Sequence, residues 1–201
     1  MGKELTSDWG FSCVIETPSG NILFDTGAKS DILLDNMRKL NIDPLKIIKI
    51  VLSHEHWDHV GGLDGLVSAG VHAVVFRLAN ISSRKETVIV MEEPIKIGNG
   101  AYTTGRIEGK IPEQSLVLQG KKGLYVLTGC SHPGVSLILQ KAATFGSLQG
   151  LIGGFHGFNE FSVIKNLSII CPCHCTQHKK EIFALFPKSS MLGGVGKILE
   201  L

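Results

Sequence analysis

The chain has 201 residues, a formal net charge of +2 and a hydrophobic fraction of 43%. This length suits one globular domain over residues 1–201, with a core that needs no disulfide staples. The near-neutral charge argues against a general attraction to nucleic acid, and no apolar run approaches the roughly 18 residues of a membrane span. Three of the five cysteines crowd into Cys171, Cys173 and Cys175, which predicts a reduced, cytoplasmic protein rather than a secreted disulfide scaffold.

Strands and turns dominate the first part of the chain. The stretch FSCVIETPSGNILFDTG contains two extended runs joined at residues 18–21, the pattern of a β-hairpin. Apolar residues then recur at helical spacing over residues 32–40, with Ser30 placed to cap the helix. The β-branched run LKIIKIVLS predicts a buried strand. A short helix over residues 64–69 and the strand VHAVVF follow.

Extended segments and helices alternate in the second part of the chain. The expected elements are mostly extended chain over residues 87–109, a hairpin around residues 120–123, a helix over residues 133–145, the strand LQGLIGG, a helix over residues 160–166, the strand LSIICP, the helix KKEIFALF and a last strand KILEL. Because hairpins occur among alternating helices and strands, the sequence predicts an α/β protein with mixed sheets.

Polar residues that bind metals follow five of the predicted strands. They are Asp25 in FDTG, the group HEHWDH at residues 54–59, His132 in TGCSHPG, His156 in GGFHGF and His174 in CPCHCT. Residues at the carboxyl ends of neighbouring strands can converge on one crevice. The sequence therefore predicts a metal site rather than a solvated polar turn.

The spacing inside HEHWDH supports this interpretation. In an extended segment, residues two apart point the same way, so His54 and His56 are placed to bind one ion, while Asp58 and His59 face a second. Imidazoles and carboxylates suit zinc, manganese or iron better than calcium. Glu55 and Trp57 are expected to be solvent-facing or supporting residues.

These motifs together resemble the metallo-β-lactamase superfamily, whose signature is HxHxDH. The resemblance extends from residue 11 to about residue 178 and is similar in detail to the branch that includes an archaeal dihydropterin ribofuranosylaminobenzene phosphate synthase. It implies a four-layer αββα sandwich with mixed sheets and a metal site along one edge of the two sheets. It also implies two groups of ligands, with His54, His56 and His132 for a first ion and Asp58, His59 and His174 for a second. Asp25 would orient a ligand histidine from outside the coordination sphere.

His156 departs from the pattern, because most hydrolases of this superfamily have an aspartate there that bridges both ions. A neutral imidazole has a single acceptor lone pair and cannot bridge in that way. His156 is therefore expected to bind one ion, to contact substrate, or to leave the second ion weakly bound. The predicted cofactor is a pair of divalent ions, with zinc favoured over manganese or iron and a single ion as the alternative.

Cysteines and arginines offer further candidates. The alternating cysteines of CPCHC suit a soft metal or an iron–sulfur cluster, although buried cysteines are commonly small apolar residues, as expected for Cys171. Cys173 and Cys175 flank His174 and are placed to contact the site. Three arginines are candidates for holding a substrate anion, Arg77, Arg84 and Arg106, and the predicted helix start at Pro133 would attract a phosphate.

The predicted function is that of a metal-dependent hydrolase with a small anionic, phosphorylated substrate, in which Asp58 orients the attacking water. One alternative is a synthase-type transfer similar to that of the pterin enzyme. Another is a metal-binding sensor or redox protein without hydrolytic turnover. No nucleic acid or membrane partner is expected, and the sequence leaves the oligomeric state open.

Overall fold

The structure is a computed structural model that describes residues 4–17, 20–81 and 86–201. Contacts divide the chain into two compact units, the first formed by Met1–Glu92 with Val195–Lys197 and the second by Glu93–Gly194 with Ile198–Leu201. The assignment of the whole chain to one domain stays a prediction. None of the helices in the described ranges has the length and apolar character that a membrane crossing requires, and the cytoplasmic location also stays a prediction.

The first unit is built on a five-stranded mixed sheet. Its elements are β1 (Cys13–Ile15), β2 (Asn21–Phe24), α1 (Ser30–Lys39), a 3₁₀ turn (Pro44–Lys46), β3 (Ile47–Val51), α2 (Trp57–Val60), α3 (Leu63–Ser68), β4 (Val74–Arg77) and β5 (Thr87–Val90). The strands follow in the order β1-β2-β3-β4-β5. β1 pairs antiparallel with β2, as the predicted hairpin requires, and β2 to β5 pair in parallel. Residues 18 and 19 of the predicted turn lie outside the described residues.

Side chains from α1, α3 and the middle strands form the core of the first unit, with Met37, Ile50 and Leu66 almost fully buried. Helix α1 approaches α3 closely, since a Cβ at Gly65 would lie 2.0 Å from the Cβ of Ser30. The capping role predicted for Ser30 is wrong, because Lys29 occupies the N-cap. Ser30 is instead the first helical residue and packs against α3.

The second unit is built on a six-stranded mixed sheet. Its elements are β6 (Ile95–Gly98), β7 (Ala101–Thr103), β8 (Leu116–Gly120), β9 (Gly123–Thr128), α4 (Val135–Ala143), β10 (Leu148–Gly154), a 3₁₀ turn (Phe161–Ile164), β11 (Ile169–Cys173) and α5 (Lys179–Leu185). The order is β11-β10-β9-β8-β7-β6, with β9, β10 and β11 parallel and the remaining pairs antiparallel. The carboxyl ends of β9, β10 and β11 therefore meet at one edge of this sheet.

Three predicted features of the second unit are wrong. The helix expected over residues 160–166 is a 3₁₀ turn over Phe161–Ile164, in which Ile164 is the buried residue. The segment KILEL contains no strand, and its last residue lies against Gly120 instead. Pro133 is not the first residue of α4, which begins two residues later after a Gly134 cap.

Candidate metal centre

A buried carboxylate orients one of the predicted ligands in the first unit. Asp25 follows β2, and its Oδ2 lies 2.7 Å from Nδ1 of His59, with both side chains fully buried. Burial raises the pKa of the Asp25 carboxyl, while the neighbouring His59 and the hydrogen bonds from His59 and Ser53 lower it. Since an ionised carboxylate only accepts hydrogen bonds, His59 donates from Nδ1 and its Nε2 carries the lone pair that a metal requires.

Ser53 extends this arrangement to a second histidine. Its backbone N–H and its hydroxyl donate to the two oxygens of Asp25 at 2.7 and 2.8 Å. The hydroxyl proton is used in that bond, so Ser53 Oγ accepts from Nδ1 of His54, 2.9 Å away. His54 therefore also presents Nε2 as its basic nitrogen. The predicted role of Asp25 thus extends through Ser53, a residue that the sequence analysis did not identify.

The remaining donors of HEHWDH surround His54. Its ring centroid lies 4.5 Å from that of His56 and 4.2 Å from that of His59. The Asp58 carboxylate lies 3.8 Å from Nε2 of His59. The structure therefore brings the four predicted ligands of this segment together in the first unit.

Local backbone contacts explain the paired glycines that follow the histidines. The amide and the hydroxyl of Thr26 donate to the carbonyl of His59 at 2.7 and 3.0 Å. A Cβ at Gly62 would lie 2.3 Å from the carbonyl oxygen of Thr26, and one at Gly61 would lie 2.2 Å from that of Ala28. The glycines let the DTG turn after β2 pack directly on helix α2, which fixes His59 over Asp25.

Glu55 and Arg77 hold the same segment from the other side. The Arg77 guanidinium is buried and forms a two-point ion pair with Glu55, including a 3.1 Å hydrogen bond from Nε. Glu55 therefore supports the segment, as expected. The charge of Arg77 is engaged in this ion pair. Trp57 is 63% exposed. Of the other two arginines, Arg106 pairs with Glu108 at the surface, and Arg84 lies outside the described residues.

Two of the histidines predicted as site residues lie next to each other in the second unit. His132 follows β9 and His156 follows β10, and their ring centroids are 5.1 Å apart. His132 is partly buried, whereas His156 is exposed and adopts a left-handed backbone conformation with φ of 45°. Ser131 and His174, in the turns after β9 and β11, are left-handed too. Such conformations are costly for residues with a side chain and cluster at functional sites.

The side chain of Glu113 binds the backbone of the loop that contains His132. This fully buried carboxylate accepts hydrogen bonds through Oε1 from the Thr128 hydroxyl and from the amides of residues 129–131, at 2.9 to 3.1 Å, and through Oε2 from the His132 amide at 2.9 Å. The sequence analysis missed Glu113, because it lies 19 residues before His132. In the sequence, Glu113 is one glutamate in a polar stretch before an apolar strand, and that pattern identifies neither its burial nor its partners.

His174 lies beside two thiols. The ligand atoms of Cys130, His174 and Cys175 all lie within 4.8 Å of one another. Cys171 is buried, as expected, and together with Cys173 packs against Gly193. Of the two cysteines that flank His174, Cys175 is therefore the one that joins it, and Cys130 is a neighbour that the sequence analysis did not single out.

A sequence model of the Metallo-beta-lactamase superfamily matches residues 10–139. The chain belongs to this superfamily. Two proteins of Methanocaldococcus jannaschii are similar to it: 7,8-dihydropterin-6-methyl-4-(beta-D-ribofuranosyl)-aminobenzene-5'-phosphate synthase, 29% identical over 87% of this chain and 83% of that protein, and the uncharacterised protein MJ0448, 27% identical over 98% and 95%. These matches confirm the resemblance on which the sequence analysis relied.

Solved structures agree with the superfamily assignment. Tm1679, described as a metal-dependent hydrolase of the beta-lactamase superfamily, superposes with a TM-score of 0.79 at 27% identity, covering 100% of this chain and 94% of that one. YhfI from Bacillus subtilis, a metallo-beta-lactamase fold protein, gives a TM-score of 0.69 at 12% identity, with 96% and 92% coverage. The predicted α/β class with two mixed sheets is thereby confirmed.

The donors of both units fit the divalent metals that this superfamily generally binds. In the first unit, His59 presents a basic Nε2 3.8 Å from the Asp58 carboxylate. The buried Asp25 carboxylate orients His59 directly and His54 through Ser53. Carboxylate–histidine pairs of this kind accompany metal-ligating imidazoles. In the second unit, imidazole and thiol groups suit zinc and related transition metals.

Proposed function

We propose that this protein is a metal-dependent hydrolase that acts on a small anionic substrate carrying a phosphate. The observation that carries the proposal is the buried pair of Asp25 and His59, with Nδ1 and Oδ2 2.7 Å apart, beside His54 and His56. A carboxylate buried at this cost is expected where a cation binds on the far side of the imidazole. Membership of a superfamily of mostly metal-dependent hydrolases supports the same reaction class.

The proposed ligand sets follow the order of the superfamily motifs. They are His54, His56, Asp58 and His59 in the first unit and His132 and His174 in the second. Zinc is the expected metal, with manganese or iron as alternatives. A bound divalent ion lowers the pKa of water to about 7 and polarises a phosphoryl oxygen.

Side chains of this chain orient the reactants in the proposed reaction. Asp58 is nearly buried and presents a carboxylate that accepts a hydrogen bond from the attacking water, which aims the oxygen at the substrate. The exposed ring of His156 beside His132 is placed to donate a hydrogen bond to a phosphate oxygen. Donation uses a ring N–H of His156 and not the two lone pairs that a bridging ligand needs, so we propose a substrate contact rather than a bridging role for this residue.

A synthase-type transfer is the second candidate. It is favoured by the 29% identity to the M. jannaschii protein named as a synthase. The two reactions differ in the attacking group, since hydrolysis adds water to the product and transfer does not. Reaction in isotopically labelled water separates them, because only hydrolysis incorporates the labelled oxygen.

Metal content and turnover test the proposal together. Protein purified without chelators is analysed for bound metals and assayed on a panel of phosphoesters, alongside His56→Ala and Asp58→Asn. The matched control is His72→Ala, which removes an exposed imidazole of the first unit that precedes β4. We expect at least one divalent ion per chain, loss of metal in His56→Ala, and turnover reduced about 100-fold or more in Asp58→Asn. A chain that neither retains nor regains metal, or Asp58→Asn with full turnover, would overturn the proposal.

A further inference from the structure

Two sulfur atoms and one imidazole are gathered at the edge of the second sheet. Cys130 comes two residues after β9, and His174 and Cys175 come directly after β11, so two loops on either side of β10 supply the group. The three ligand atoms all lie within 4.8 Å of one another. Cys130 is 4% exposed, and the other two residues are half-buried.

The end of β10 makes room for this group. A Cβ at Gly154 would lie 2.4 Å from the carbonyl oxygen of Gly129 and 2.7 Å from the sulfur of Cys175. The Cys175 thiol points at the carbonyl of Cys130, with 3.8 Å between sulfur and oxygen. Only glycine allows the two cysteine loops to approach each other across the strand end.

Hydrogen bonds fix the backbone of both loops. On one side, Glu113 accepts the amide of Cys130 at 3.0 Å. On the other, the amide and hydroxyl of Thr176 both donate to the carbonyl of Cys173, at 3.1 and 2.8 Å, which closes the turn that contains left-handed His174. The thiols are therefore held in place by the fold, unlike cysteines on a mobile surface loop.

We propose that Cys130 and Cys175 are sulfur ligands of the ion that His174 binds. The inference rests on the proposed function for the role of His174 and extends it with two ligands from the second unit. Two thiolates on a tetrahedral zinc ion lie about 3.8 Å apart, given zinc–sulfur bonds of about 2.3 Å. The sulfur atoms of Cys130 and Cys175 lie within 4.8 Å of each other and of a His174 ring nitrogen, close enough for one ion to bind all three.

Sulfur ligation determines which metal the centre selects. Thiolates favour zinc, cobalt, iron and cadmium over magnesium, calcium and manganese. Each thiol must lose its proton to bind, so metal uptake releases protons and protects both sulfurs from alkylation. Retention of manganese in preference to zinc is not expected from this ligand set.

Cobalt substitution of the whole protein tests the proposal directly. Sulfur bound to cobalt gives a charge-transfer band in the near ultraviolet, which nitrogen and oxygen ligands do not. The variants are Cys130→Ser, Cys175→Ser and the double variant, with Cys13→Ser, in β1 of the first unit, as the matched control. We expect the band in wild type and in the control, roughly half its intensity in each single variant, and its loss in the double variant. Cobalt bound without this band in wild type would overturn the inference.

Alkylation of the wild-type chain gives a second readout that needs no variant. Zinc is expected to slow the reaction of iodoacetamide with Cys130 and Cys175 by about 10-fold or more, with Cys13 unaffected, as measured by peptide mass spectrometry. Equal rates with and without bound zinc would contradict the proposal. A cobalt–sulfur band without phosphoesterase turnover would leave the inference standing and overturn the proposed function, whereas turnover without the band would do the reverse.

Discussion

The two units prepare their metal-binding groups in different ways. In the first unit, one segment of six residues after β3 supplies all four predicted ligands, and the buried carboxylate of Asp25 orients an imidazole ring directly. In the second unit, the groups come from three strand ends, and the buried carboxylate of Glu113 binds backbone amides instead. The first carboxylate sets a side-chain orientation, whereas the second sets the course of a loop. Loss of Asp25 should therefore affect metal binding, and loss of Glu113 should affect folding.

The largest expected effect comes from Glu113→Gln. The amide oxygen can still accept from some of the donors of residues 128–131, but the NH₂ group then faces the donating amide of His132. Leaving buried donors without an acceptor costs about 1–3 kcal/mol each, so we expect a loss of about 3 kcal/mol in the free energy of unfolding. Urea denaturation followed by circular dichroism measures this difference.

Glu108→Gln is the matched control for that variant. Glu108 is 73% exposed and pairs with Arg106 at the surface, so the change should stay within about 0.5 kcal/mol. If Glu113→Gln were as stable as the control but had lost metal affinity, Glu113 would act like Asp25 and the contrast between the units would fail.

A smaller effect is expected from Gly154→Ala. The added methyl group would lie 2.4 Å from the Gly129 carbonyl oxygen, so the loops after β9 and β11 must move apart. Overpacking of this kind costs about 1–3 kcal/mol. Gly157→Ala is the control, because its nearest neighbour beyond the adjacent residues, Oε1 of Gln177, would lie at 3.5 Å, an ordinary contact. Equal thermal midpoints for the two variants would mean that the strand end does not set the spacing of the loops.

The same contrast explains what the sequence could predict. The ligands of the first unit are adjacent in HEHWDH, so their spacing supported the metal site that the strand-end histidines and the superfamily resemblance predicted. β3 before them was readable as a buried β-branched run. The groups of the second unit become neighbours only through the parallel pairing of β9, β10 and β11. Glu113 and Cys130 were missed for that reason, since pairing register and the course of a loop are not encoded in local spacing.

Asp25→Asn tests the ring-orienting carboxylate, with the smallest expected effect on folding. Asparagine tolerates the left-handed backbone at this position, where φ is 57°, and its oxygen can still accept from the Ser53 amide. Burial raises the pKa of the Asp25 carboxyl above its ordinary value of 3.8. The Asp25 carboxyl of the folded wild-type chain thus holds its proton more tightly than that of the unfolded chain. In the absence of metal, the wild-type chain should therefore lose stability relative to Asp25→Asn as the pH rises through the raised pKa.

Asp25→Asn should weaken zinc binding, although it should stabilise the metal-free chain relative to wild type at higher pH. An amide orients the His59 ring less strongly than a carboxylate and offers no charge to balance a cation, so zinc affinity should fall about 10–100-fold in Asp25→Asn. Competition with a chromophoric chelator measures this affinity, and Asp31→Asn, at an exposed position in the first turn of α1, provides the control. A variant with unchanged zinc affinity and reduced stability at every pH would show that Asp25 supports the fold alone. An equally stable variant with weakened zinc binding would show that the buried charge of Asp25 acts on metal binding rather than on the fold.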